Sequence, residues 1–141
     1  MELGTDTKAV LVATGLIFLW ALALGVWKYR QMATSEDHLA HPYVDVAHRA
    51  ALLYSFAALL IAAFVELSAF STTVNLLAAF ALIFFFAAAI AGYCYQGWKA
   101  ETTNQFADPI PGTHPYMYAL ILAEIGGFAV LFAGFLDAQI L

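Results

Sequence analysis

The sequence has few charged residues and a single cysteine. Charged side chains make up 11% of its 141 residues, whereas hydrophobic side chains make up 64%. A water-soluble domain of this size needs more polar surface than this composition supplies. Only 5 residues are Lys or Arg, against 10 Asp or Glu, so we expect no basic patch and no nucleic-acid partner. Cys94 alone cannot form an intrachain disulfide or a thiolate metal cage.

Most of the chain consists of four long apolar runs. Each run is about 20 residues long, the length that a helix needs to cross a bilayer. None shows the strict alternation of apolar and polar residues that is typical of a barrel strand. We therefore predict that these runs are helices, in which the backbone N–H and C=O groups hydrogen-bond each other within the lipid. We therefore predict an all-α integral membrane protein, a single up-and-down four-helix bundle over residues 1–141. The predicted helices cover about residues 9–27, 50–70, 74–95 and 116–136, and the long loops cover 28–49 and 96–115.

The few cations indicate how the bundle lies in the membrane. Lys28, Arg30, Arg49 and Lys99 flank the two long loops, whereas the opposite side carries only Lys8. Cytoplasmic segments of membrane proteins are enriched in Lys and Arg. We therefore predict that the long loops are cytoplasmic, that both termini lie on the other side, and that the membrane is a bacterial inner membrane.

Histidine and tyrosine are concentrated at one end of the predicted bundle. All four histidines and all seven tyrosines fall in the long loops or within about two helical turns of them. A simple aromatic belt would occupy both interfaces, so the one-sided distribution favours a functional site at this end. The histidines are His38, His41, His48 and His114.

His48 is the strongest candidate for a cofactor ligand, and we predict that it opens the second helix. A haem iron needs only an axial side chain, because the porphyrin supplies the other four ligands. A zinc or copper cage built from several histidines is the less favoured alternative. Asp45 either orients the His48 imidazole or pairs with Arg49 at i+4, and the pair is favoured.

Glu66 and Glu124 are the only charged residues within the apolar runs. A charge is costly in lipid, so each carboxyl should point into the bundle or reach an interface. Glu66 lies close to the far interface, whereas Glu124 is nearer to the middle of the membrane. For Glu124, a neutral acid that hydrogen-bonds another helix is at least as well supported as a role in proton transfer.

Three short motifs follow one another in order. Ala47-His48 begins the second helix as predicted, Tyr93 comes 45 residues after His48, and Asn104-Gln105-Phe106 follows in the next loop. This order resembles the membrane-bound styrene oxide isomerases, small four-helix proteins that carry haem b and convert an aryl epoxide to an aldehyde. In that family the histidine is the axial haem ligand and the tyrosine is an active-site residue. The resemblance covers roughly residues 47–106 by motif.

The resemblance implies roles for individual residues. His48 would bind the iron of haem b, Arg49 and Asn104 would belong to the cofactor-binding set, and Tyr93 would be catalytic. The family has an asparagine six residues beyond the axial histidine, where this sequence has Tyr54, and we expect Tyr54 to act beside Tyr93. The family's Gly-Pro after the histidine is Arg49-Ala50 here, and the loop before Asn104 is shorter. The resemblance also implies a homo-oligomer, a trimer.

Three functions fit these residues. The first is a haem b-dependent isomerase that rearranges a lipophilic epoxide to a carbonyl compound. In it, ferric haem is the Lewis acid and Tyr93 and Tyr54 position the epoxide oxygen. The second is a haem-binding redox or gas-binding membrane protein without isomerase activity. The third is an accessory subunit of a membrane complex that needs no cofactor. Membrane lipid is the expected surrounding in each case.

Overall fold

All of the regular secondary structure in the described part of the chain is helical. The computed structural model describes residues 2–141, and within this range there are four helices and no strand. Each helix is long and apolar enough to cross a membrane. The predicted all-α membrane four-helix architecture is thereby confirmed. The helices are α1 (Thr5–Thr34), α2 (Pro42–Glu66), α3 (Thr72–Lys99) and α4 (Thr113–Gln139).

The α2 helix begins well before its apolar run. It starts at Pro42, so the prediction that His48 opens this helix is wrong, and His48 lies in its second turn. The Nδ1 atom of His41 accepts a hydrogen bond from the backbone N–H of Tyr43 at 3.2 Å and so caps the helix. Pro42 occupies the first turn, where a missing N–H costs nothing. Hydropathy detects only the part of a helix that matches the bilayer, which explains the difference.

Both long loops are shorter than predicted, for the same reason. Residues 35–41 connect α1 to α2, and residues 100–112 connect α3 to α4. The second loop ends at Gly112, whose φ of 96° lies in the left-handed region that side chains other than glycine's rarely adopt. This loop therefore enters α4 through a tight backbone turn.

Small residues let α1, α2 and α3 pack closely. Fully buried alanines lie on all three helices, and such residues allow helix backbones to approach within a membrane. The α4 helix contributes only Leu131 and Gly134 to the buried set. Its outward side chains, such as Leu122 at 74% exposure, are suited to contact with lipid tails. The buried alanines are Ala21, Ala47, Ala51, Ala58, Ala62, Ala78 and Ala79.

Polar contacts tie three helices together at the end opposite the long loops. The Nδ2 atom of Asn75 donates to Oδ2 of Asp6 at 3.0 Å. Oε2 of Glu66 accepts from the Thr7 hydroxyl at 2.6 Å and from the backbone N–H of Gly4 at 3.2 Å. Glu66 therefore points towards α1, one of the two placements that its sequence position left open.

Candidate functional site

A cavity of about 480 Å³ opens between α3, α4 and the loop that joins them. This volume falls within the range of roughly 300–1,000 Å³ that is usual for small-molecule sites. Its wall is mainly apolar, with a few polar groups, as expected for a lipophilic ligand that has one oriented oxygen. We call it the tyrosine cavity. The helical residues that line it include Tyr54, Ala88, Ala89, Gly92, Tyr93, Tyr116, Met117 and Leu120.

The two residues predicted to be catalytic, Tyr54 and Tyr93, line this cavity together. The Tyr54 ring stacks on Phe86 with the centroids 4.3 Å apart, and the Tyr93 ring stacks on Tyr43 at 6.1 Å. Both tyrosines also border a smaller cavity of about 260 Å³ beside α2. Neither hydroxyl hydrogen-bonds another residue of the described chain, so both are available to a ligand.

Tyr43 holds the loop over the cavity, a role that the sequence did not reveal. Its side chain is buried, and its hydroxyl accepts a hydrogen bond from the backbone N–H of Gln105 at 2.6 Å. Oδ1 of Asn104 accepts from the backbone N–H of Phe106 at 3.0 Å. Asn104 is exposed and outside the cavity lining, whereas Gln105 lines it. Only the long-range contact distinguishes Tyr43 from the other tyrosines.

His48 lies on a different side of α2 from Tyr54. Six residues separate them, which places them about 120° apart around the helix axis. The Nδ1 atom of His48 is 3.0 Å from the carbonyl oxygen of Ala21 in α1. The ring also packs against Gly25, where an added Cβ would lie 3.0 Å from Cε1 of His48. The tyrosine cavity does not include His48 in its lining, so the structure brings the two tyrosines together without this histidine.

The Nδ1 contact of His48 bears on its predicted role as a ligand. When Nδ1 carries the proton, it donates to the Ala21 carbonyl and leaves the lone pair of Nε2 free. Metal-binding histidines commonly have such a hydrogen bond, because it fixes the tautomer and the ring orientation. Across residues 2–141, Nε2 of His48 has no hydrogen-bond partner. This hydrogen bond is of the kind that a ligand histidine makes, but neither the tyrosine cavity nor the smaller cavity includes His48 in its lining, so the structure shows no space for a porphyrin at Nε2.

Asp45 contacts two cations and does not contact His48. Its Oδ2 is 2.8 Å from Nη2 of Arg49, so the favoured i+4 pair is confirmed. Its Oδ1 is 2.6 Å from Nζ of Lys28, a contact that links α2 to α1. The Arg49 side chain is 65% exposed and lies beside the smaller cavity, not the tyrosine cavity. Exposed pairs of this kind contribute about 0–1 kcal/mol each.

The other histidines lie apart from His48. His38 is in the first long loop, with Nδ1 at 3.3 Å from the carbonyl oxygen of Met32. His41 caps α2, and His114 is exposed in the first turn of α4. Among residues 2–141, no group of three or more His, Cys, Asp or Glu side chains could hold a metal ion.

Glu124 lies in α4 and is not among the residues that line the tyrosine cavity. Leu120 lines the cavity one turn earlier on the same face of α4. Glu124 itself is half-buried. Its Oε1 atom is buried and lacks a hydrogen-bond partner in the described part of the chain.

Comparisons with known proteins do not add a family to this description. No family model, no curated protein and no solved structure matches the chain. The candidate site is therefore argued from the geometry of this chain alone.

Proposed function

We propose that this protein is a membrane isomerase that rearranges a lipophilic epoxide to a carbonyl compound in the tyrosine cavity. The observation that supports the proposal is that the hydroxyls of Tyr54 and Tyr93, two residues that line an apolar cavity, have no hydrogen-bond partner in residues 2–141. A phenol O–H can donate to the epoxide oxygen, and this bond strengthens as the breaking C–O bond leaves charge on that oxygen. Apolar walls exclude water and so favour rearrangement over hydrolysis.

Haem b held by His48 is the proposed cofactor. When bound, its ferric iron would be a Lewis acid, although the imidazole that would hold it lies outside the tyrosine cavity. The protein's own part is to orient the His48 imidazole through the Ala21 carbonyl and, by having no side chain at Gly25, to leave room for that imidazole. Arg49 and Asn104 join the proposed cofactor-binding set through the resemblance to styrene oxide isomerases.

The proposed setting is a bacterial inner membrane, with the long loops in the cytoplasm and both termini on the other side. The excess of Lys and Arg near the long loops supports this orientation. The resemblance to styrene oxide isomerases supports a homo-oligomer, a trimer. A lipophilic substrate can reach the tyrosine cavity through the surrounding lipid.

The test is conversion of styrene oxide to aldehyde by purified, haem-supplemented protein, measured by gas chromatography. We expect Tyr93→Phe to lower kcat by about 100-fold, because loss of one donor to a developing oxyanion costs that much. Tyr118→Phe is the matched control: Tyr118 is 69% exposed on α4 at the same end and lies outside the cavity. An inactive wild-type protein that contains haem would contradict the proposed function.

A haem protein without isomerase activity is the second candidate. The position of His48 outside the tyrosine cavity favours it, because a ligand bound at the tyrosines does not contact this imidazole. Absorption spectra separate the two candidates: two axial histidines give a low-spin spectrum, whereas an isomerase needs an open coordination position. We expect His48→Ala to abolish or shift the Soret band, and His38→Ala, a change in an exposed loop, to preserve it. A colourless wild-type protein would contradict both candidates.

A further inference from the structure

Apart from the tyrosines, the polar side chains that line the tyrosine cavity lie at one end of it. On α3 the lining runs from Ala88 to Gln96, and on α4 it runs from Leu120 back to Thr113. With a rise of 1.5 Å per residue, each stretch spans roughly 10–12 Å along its helix. Ala88 and Leu120 lie at the end inside the membrane, whereas Gln96 and Thr113 lie beside the loop. The cavity therefore suits an elongated ligand that is apolar at one end and polar at the other.

The polar end of the cavity is negatively charged. Asp108, in the loop between α3 and α4, is the only charged side chain in the lining, which includes no Lys, Arg or His of residues 2–141. None of the ion pairs in this part of the chain includes Asp108. Its side chain is exposed to water, so the charge has no desolvation cost that would disfavour it. A positively charged group on a ligand would complement this end of the cavity.

Hydrogen bonds in the loop hold Asp108 at the cavity. The backbone N–H of Ala107 donates to the carbonyl oxygen of Asn104 at 3.1 Å and closes a turn just before Asp108. Gln105 is inside this turn, and its backbone N–H donates to the hydroxyl of the buried Tyr43 at 2.6 Å. The turn is thereby fixed to α2. The carboxylate consequently has a defined place at the polar end of the cavity.

Aromatic rings line the same end. Tyr95 and Tyr116 are both in the lining, and each lies within about one helical turn of the loop. The face of an aromatic ring attracts organic cations, quaternary ammonium groups in particular. Nζ of Lys99 lies 5.8 Å from the centroid of Tyr95, so a cation already occupies one of these rings. This ammonium is outside the lining and pairs with Glu101 at 3.4 Å, which leaves Asp108 without a cation.

We propose that the substrate of the tyrosine cavity is an amphiphilic epoxide with a cationic end, and that Asp108 selects it by binding that end. This inference rests on the proposed function, because it names the substrate class of the same site. The ammonium group lies at Asp108, and the apolar end with the epoxide extends into the membrane past Tyr93. An epoxide with a carboxylate at its polar end is disfavoured, because it would place a second negative charge beside Asp108.

Turnover of three aryl epoxides tests the selection: styrene oxide, its para-trimethylammoniomethyl derivative and its para-carboxylate. In the wild type we expect kcat/KM to be higher for the cationic epoxide than for the carboxylate. Asp108→Asn should raise the ratio of KM for the cationic epoxide to KM for styrene oxide by about two- to fivefold, the usual contribution of an exposed ion pair. Asp108→Lys should favour the carboxylate over the cationic epoxide. Glu101→Gln is the matched control, because it removes a negative charge from the same loop outside the lining, and it should keep the wild-type ratio.

Equilibrium dialysis in neutral maltoside micelles gives a readout that does not need turnover. The probes are the phenylbutyl trimethylammonium ion and phenylbutyrate, two amphiphiles without an epoxide. The wild type and Glu101→Gln should bind the ammonium probe more tightly, and Asp108→Lys should bind phenylbutyrate more tightly. Partition of a probe into the micelles is common to all proteins and cancels in the comparison.

The outcomes separate this inference from the proposed function. If styrene oxide gives aldehyde but the Asp108 variants keep the wild-type order of the charged epoxides and probes, the inference is overturned and the proposed function stands. If no protein forms aldehyde, the proposed function fails, and the dialysis alone decides whether Asp108 selects a cation. Equal binding of the two probes by the wild type would overturn the inference in either case.

Discussion

At the scale of single residues, the position of the His48 imidazole depends on the absence of a side chain at Gly25. A Cβ at Gly25 would lie 3.0 Å from Cε1 and 3.4 Å from Nδ1 of His48. Real Cβ atoms rarely approach so closely, so the ring would move away from the Ala21 carbonyl. Gly15 lies on the same helix, and a Cβ there would meet no atom within 4 Å.

We therefore expect Gly25→Ala to be less stable than Gly15→Ala by about 1 kcal/mol, the usual contribution of one hydrogen bond. Both changes have the same intrinsic effect on helix propensity, which cancels in the comparison. The measurement is the free energy of unfolding in mixed detergent micelles, made on protein without added haem. Equal stabilities of the two variants would show that the His48 to Ala21 contact does not depend on Gly25.

At the scale of elements, the packing of α4 against α3 depends on Gly127. A Cβ at this position would lie 2.7 Å from Cδ1 of Leu82 and 2.8 Å from the carbonyl oxygen of Ala78. The second contact is with backbone, which cannot move without displacing the helix. Gly126 precedes it in the chain and faces open space, since an added Cβ there meets nothing within 4 Å.

We expect Gly127→Ala to be less stable than Gly126→Ala by about 1–3 kcal/mol, the usual cost of overpacking, because the gain in helix propensity is common to both changes and cancels. Because α4 forms one wall of the tyrosine cavity, Gly127→Ala should also weaken binding of a lipophilic epoxide. Unfolding in mixed micelles measures the first effect, and ligand-induced quenching of tryptophan fluorescence measures the second. A Gly127→Ala protein as stable as the Gly126→Ala protein would contradict this description of the α3–α4 contact.

At the scale of the whole molecule, an even number of membrane-crossing helices places both ends of the chain on one side. The positive charges near the loops predict that this side is not the cytoplasm. Cys94 is the only cysteine, so a Cys94→Ala background allows single new thiols to report the orientation. Ser35 lies in the loop between α1 and α2, and Ser71 lies between α2 and α3.

In spheroplasts of a bacterial host, a membrane-impermeant thiol reagent should label Ser71→Cys and leave Ser35→Cys unlabelled. Inverted membrane vesicles should show the opposite pattern, and detergent should make both thiols reactive. The reverse result in intact cells would place the long loops outside and would contradict the predicted orientation.

Much of the fold could be predicted because the bilayer imposes a simple rule on sequence. Four apolar runs of about 20 residues must become helices, because lipid tails offer no hydrogen-bond partners to backbone N–H and C=O groups. The pairing of Asp45 with Arg49 was predictable for a similar reason, because residues four apart on a helix are neighbours. The first residue of α2 was harder to predict from the sequence, because the His41 cap and Pro42 lie in a polar segment that hydropathy does not detect.

The sequence by itself determined the membrane bundle and the concentration of tyrosine and histidine at one end, because both depend on local composition and helix length. Only the tertiary structure decided which of these residues meet. The rotation of α2 against its neighbours places Tyr54 with Tyr93 in one cavity and turns His48 towards Ala21 of α1. That rotation is decided by close packing between helices that are distant in sequence, and a motif spacing along the chain does not encode it.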